Sequence, residues 1–98
     1  MDENELLSKI NELERVAKTL DEPEKTFKLC EISQLRIEAA GMAISDVAAK
    51  MKAISLPRIE EMDTQIAAAA DATSAHSARV AAFDSAYRIL KGFLGLVV

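Results

Sequence analysis

The chain has one cysteine, one histidine, no tryptophan, two prolines and three glycines among 98 residues, and only 4% of it is aromatic. Each scarcity closes a class of explanation. A single Cys30 cannot form an intrachain disulfide and suits a reducing compartment, so a cytoplasmic location is expected. Gly and Pro are too few for a succession of tight turns. The 50% of hydrophobic residues is carried mainly by Ala, Ile, Leu, Val and Met, which favours helices over strands. One His leaves no Glu-x-x-His pair of the kind di-metal bundles use, and no zinc pattern, phosphate-cradling Gly-rich loop or nucleophile elbow is present. The expectation is a non-enzyme with no catalytic residue, no metal ligand and no cofactor.

Positive charge is also short. The formal net charge is −4, and the whole acidic excess lies within residues 1–31. Without a basic stripe or stacking aromatics, the electrostatic attraction that dominates nucleic-acid affinity is missing, so nucleic acid is not an expected partner. The start, Met1-Asp2-Glu3-Asn4-Glu5, is acidic and is not followed by a hydrophobic stretch of signal-peptide type.

What is there is hydrophobic periodicity. After Leu56-Pro57, Ile59, Met62, Ile66, Ala69, Thr73, His76, Val80, Phe83, Tyr87, Leu90, Leu94 and Val97 follow in steps of three and four. Before it, Ile54, Met51, Val47, Ile44, Ala40, Ile37, Ser33, Cys30 and Thr26 do the same in reverse. Such spacing keeps one side of a helix apolar. The phase slips at Ser55-Leu56-Pro57, where Ser can cap a helix start, Pro fits its first turn, and Glu60, Glu61 and Asp63 suit the positive end of the dipole. A chain reversal there sets Ile54 on Ile59, Met51 on Met62, Val47 on Ile66, Ile44 on Ala69, Ile37 on His76 and Cys30 on Phe83. Small residues then meet large ones, as interdigitating layers require.

A shorter stripe precedes these two. Leu6, Ile10, Leu13, Ala17 and Leu20 define a first helix, and Asp21-Glu22-Pro23-Glu24 reads as the start of a second, with Asp21 and Glu24 as a capping box. The predicted fold is therefore all-α in a single domain, residues 1–98. It comprises a helix over about 3–20 and a long antiparallel, coiled-coil-like hairpin of helices over about 22–54 and 57–96.

Such a hairpin is not self-sufficient. Its middle, around Ala39-Ala40-Gly41 and the four alanines from Ala67, buries little area per layer. Second apolar stripes run along Leu35, Met42, Ala49 and Leu56, and along Ala68, Ala75, Ala82, Ile89 and Leu96. A helix apolar on two faces is buried on two sides. The expected partner is thus a second copy of the chain, forming a dimer or larger bundle, or another protein bound to these faces or to the carboxy terminus. The candidate interface residues are Leu35, Met42, Ala49, Ala68, Ala75, Ala82, Ile89, Phe93 and Leu96.

Three local features have simpler readings than chemistry. His76 falls on the core stripe and reads as a hydrogen-bonded seam residue that fixes register. Cys30 reads as a packed core thiol. Residues 89–98 are apolar around nearly the whole helix except for Lys91, and read as packing against the first helix. They are too few to span a bilayer. The alternative function is a membrane-peripheral accessory protein that uses residues 89–98 as an interfacial anchor, with Arg79, Arg88 and Lys91 toward anionic headgroups. The leading function is a non-enzymatic assembly, adaptor or partner-binding module.

Overall fold

All three segments read from the sequence are helical in the computed structural model, which describes residues 3–42 and 44–95, but the two long ones are each broken. The elements are α1 (Glu3–Lys18), α2 (Glu24–Ala40), α3 (Ile44–Lys52), α4 (Leu56–Ala70) and α5 (His76–Phe93), with no strand among the described residues. The side chains of Ile44 and Met51, and all of Leu96 to Val98, lie outside the described residues.

α1 follows its sequence pattern. Leu6, Ile10, Leu13, Ala17 and Leu20 are all buried, and Val16 joins them. The helix stops where Thr19 turns its hydroxyl back onto the Val16 carbonyl at 2.7 Å, a local bond that competes with helix propagation. α2 then starts on a different residue from the expected capping box. The Glu22 carboxylate accepts the Thr26 backbone N–H at 2.8 Å and also its hydroxyl. These bonds hold the Glu22 carboxyl below the usual carboxylate range.

The two unforeseen breaks have separate causes. At Gly41, which has the weakest helix propensity of any non-Pro residue, the helix ends with Gly41 N–H on the Ile37 carbonyl. After Ala70, the Asp71 carboxylate accepts the Thr73 N–H at 3.0 Å, the Thr73 hydroxyl at 2.6 Å and the Ser74 hydroxyl at 3.2 Å. This is an Asx-type turn in which short polar side chains replace helical bonds, and it holds the Asp71 carboxyl below its usual range. A periodic ladder does not reveal such a turn, because Thr73 and His76 keep the three-four spacing across it.

Those breaks replace the long hairpin. An arm of about forty residues would reach about 60 Å at 1.5 Å per residue, whereas the molecule measures 39 × 26 × 22 Å with a radius of gyration of 13.1 Å. The most extensive helix packing is between α4 and α5, and α1 touches all four other helices. On α4 the expected rungs Met62, Ile66 and Ala69 are buried, as are Phe83, Leu90 and Leu94 on and after α5. Val47, expected on Ile66, is buried in the same core, and Ile54 and Ile59 both pack against it, but the α2 rungs expected opposite the far end of the chain are not in place. Thr26, Cys30, Ser33, Ile37 and Ala40 are all exposed, and Ile32 and Leu35 of α2 are buried instead.

The reversal has an energetic cause. A stripe of Thr, Cys, Ser and Ala with one Ile offers less apolar area than one with Leu29, Ile32, Leu35, Ala39 and Met42, and burial gains scale with that area. All five of these join the core or pack against it. α5 is buried on both of its stripes, through Ala82, Phe83, Ala86, Ile89, Leu90 and Phe93, and the chain's own helices supply the cover. The end of α5 is fixed by Gly95 at φ +68°, a left-handed conformation that glycine adopts without steric cost. Lys50 donates to the neighbouring Leu94 carbonyl at 3.0 Å.

Candidate functional site: the outer face of α2

α2 carries its charges on the half of its circumference nearer the core and leaves rather more than half of it uncharged. At 100° per residue, the solvent-facing arc holds Thr26, Phe27, Cys30, Ser33, Gln34, Ile37 and Ala40, with the half-buried Leu29 at its margin. Four large hydrophobics are exposed among the described residues, and α2 supplies two of them, Phe27 at 60% and Ile37 at 73%. A shallow groove of about 430 Å³ runs along this arc, lined by Thr26, Leu29, Cys30, Ser33, Gln34 and Ile37. The Cys30 thiol is exposed on it, which corrects the expectation of a packed core thiol. The roll of α2 that buries Leu35 also turns Cys30 outward.

Neighbouring helices define the two edges of the arc. On the α1 side, Arg36 donates to Asn11 Oδ1 at 2.7 Å and pairs with Glu14, which Lys18 also approaches at 3.5 Å. The Arg36 guanidinium holds the Glu14 carboxyl low. Lys25 lies on the same edge. On the α5 side, Glu24, Glu31 and Glu38 recur every seven residues. There Lys28 bridges Asp84 at 2.6 Å and Glu31 at 3.3 Å, and the Tyr87 hydroxyl donates to the Glu31 carbonyl at 3.0 Å. Burial, reinforced by Glu31 and Glu38, pushes the Tyr87 phenol up to about 12. Burial opposes the charge on Lys28, yet Asp84 and Glu31 outweigh it and its pKa is raised.

The residues expected to form the interface are divided by this fold. Leu35, Ala82, Ile89 and Phe93 lie in the chain's own core, with Met42 packed against it. Ala49, Ala68 and Ala75 are exposed on separate elements, and Leu96 is outside the described residues. The exposed apolar side chains thus sit on what the sequence pattern presents as the inner face of α2. The pattern held one signal for this: Ile32 and Leu35 are bulkier than Cys30 and Ser33, so the heavier stripe lies off the ladder.

Other candidate groups have structural partners. His76 Nε2 accepts the Asp21 backbone N–H at 3.0 Å, tying the α1–α2 loop to the first residue of α5. Arg79 is 8% exposed and does not face outward as a headgroup contact. It donates to the Ala69 carbonyl at 2.9 Å and the Thr19 hydroxyl at 2.7 Å, placing its charge against the negative ends of α4 and α1. Asp63 bridges to Lys9 on α1 at 2.6 Å, and Glu61 pairs with Arg58 at 2.7 Å. Among the described residues no three His, Cys, Asp or Glu side chains converge as a metal cage. No helix is long and apolar enough to cross a membrane, and within the segment expected to anchor, Ile89, Leu90, Phe93 and Leu94 are buried. No protein-family model, curated protein or solved structure matches the chain.

Proposed function

We propose that this protein is a non-enzymatic assembly module, acting in the cytoplasm as a homo-oligomer whose copies meet through the outer face of α2. The observation that carries the reading is the three-four stripe of Thr26, Cys30, Ser33, Ile37 and Ala40, which has the spacing of a helix–helix seam and which the fold leaves uncovered with Ile37 at 73% exposure. Small residues on the stripe allow close approach by another helix, and the one large residue, Ile37, supplies a knob. The mode is a coiled-coil-like pairing of amphipathic helices.

Sedimentation equilibrium of the full chain tests this, with Ile37→Lys as the disrupting variant and circular dichroism as the control for folding. The wild type is expected to associate, and Ile37→Lys to sediment as a monomer with unchanged helicity. A wild type that stays monomeric at hundreds of micromolar, about the weak end of functional self-association, refutes the reading. So does an Ile37→Lys variant that associates as well as the wild type.

A further inference from the structure

From residues none of which lies on α2, we infer that the cleft between the end of α3, the start of α4 and the end of α5 binds a phosphate-type oxyanion carried on a short apolar group. The cleft holds about 430 Å³, within the range of small-molecule sites. Ala53, Ile54 and Phe93 supply apolar lining, and Lys50 and Arg58 are the charged groups that line it among the described residues.

Charge complementarity selects the ligand. The chain has a net charge of −4, yet the two stretches that wall the cleft, residues 47–59 and 85–95, hold Lys50, Lys52, Arg58, Arg88 and Lys91 and no acid. An anion is therefore drawn to these walls. Lys50 commits one of its N–H donors to the Leu94 carbonyl at 3.0 Å, which holds the ammonium at the cleft and leaves two donors for a ligand. Arg58 pairs through Nη1 with Glu61 at 2.7 Å and keeps 51% of its side chain exposed. Its remaining guanidinium donors suit an oxyanion.

Two glycines keep the space clear. Gly92 lies within α5, where glycine weakens a helix, and its φ is not positive. A Cβ built there meets no described atom within 4 Å. Neither backbone conformation nor crowding within the chain calls for glycine at this position, whereas close approach of a ligand to the helix backbone does. At Gly95 a Cβ would lie 2.9 Å from Lys50 Nζ, so glycine there leaves the ammonium in place.

Calorimetric titration of the full chain with n-hexyl phosphate tests the site, with inorganic phosphate and hexanol as the two halves of the probe. Hexyl phosphate is expected to bind once per chain with a dissociation constant below about 1 mM, and each half at least about tenfold more weakly. Lys50→Ala and Arg58→Ala should each weaken binding about tenfold or more, with Arg58→Lys recovering part of it. Gly92→Leu should abolish binding with every charge intact, because its side chain fills the cleft; circular dichroism and thermal melting check that each variant is folded. Absence of saturable binding up to about 10 mM overturns the inference. So does hexyl phosphate that binds no better than inorganic phosphate, or that binds the folded Gly92→Leu variant as well as the wild type. Flotation with phosphatidylglycerol vesicles, against phosphatidylcholine alone, separates the sources of such an anion. Flotation that Lys50→Ala abolishes assigns the site to a lipid headgroup, and hexyl phosphate binding without flotation assigns it to a free phosphate ester. A monomeric wild type would remove the assembly reading and leave this site standing, since the two share no residue.

Discussion

Leu35→Ala and Ile37→Ala sit two residues apart on α2 and should have very different consequences. Leu35 is fully buried and Ile37 is 73% exposed. Removing Leu35 loses the transfer free energy of its side chain and leaves a cavity, together about 2–5 kcal/mol, a large share of the roughly 5–15 kcal/mol that holds a domain of this size. Full burial of an Ile is worth about 1.5–3 kcal/mol, and about a quarter of that applies to Ile37. Alanine's better helix propensity offsets part of the remainder. Ile37→Ala should therefore change monomer stability by less than about 0.5 kcal/mol, within the range of ordinary surface substitutions. The assay is urea denaturation at low micromolar protein, where association contributes little, repeated at high concentration. Leu35→Ala should lower the midpoint at both concentrations, and Ile37→Ala should lower it only where the wild type is assembled. If Ile37→Ala costs the dilute protein as much as Leu35→Ala, then the inner face of α2 has been assigned to the wrong side.

Three further outcomes follow from the polar contacts. Arg79→Met removes donors from the Ala69 carbonyl and Thr19 hydroxyl and should cost about 2–4 kcal/mol in urea unfolding, with Arg79→Lys recovering part of it; a neutral Arg79→Met would show that those acceptors are hydrated. Glu14, Glu22 and Asp71 have folded pKa values below their unfolded ones. Their contribution is present above about pH 4.3 and is lost as the pH falls through the folded values. The urea midpoint should thus fall between about pH 5 and pH 3, and less steeply in Glu22→Gln. Tyr87 is the single tyrosine, so ultraviolet titration should find its phenol ionising near 12 in the folded chain. Since an unfolded phenol ionises at about 10, the stability it contributes should disappear as pH rises between the two. A folded-state midpoint at about 10 would contradict its burial against α2.

Legibility of the fold varied with the strength of each local signal. The stripe from Leu6 to Leu20 is sufficient because every rung is apolar and all but Ala17 are large, leaving α1 only one face to bury. The boundary near Ser55 was readable from a phase slip plus Pro57. The break at Gly41 was visible only as a thin region of small residues. The turn at Asp71 was hidden, because its bonds to Thr73 and Ser74 involve residues that also fit a helical ladder. Cys30 was misplaced for the same reason: spacing says which residues share a face, but two faces of α2 had acceptable spacing.

The sequence by itself determined that this protein is helical, where its first helix lies, and that α5 is apolar on both sides. These properties depend on propensity and on residues within a few turns of each other. Tertiary structure decided which face of α2 points inward and whether α5 needs another chain to cover it. Two short interruptions let α1, α4 and the rest of the chain cover α5 from within. The surface left without cover is then the weaker stripe of α2, because burial favours whichever face removes more apolar area from water, and that comparison exists only once the helices are packed together.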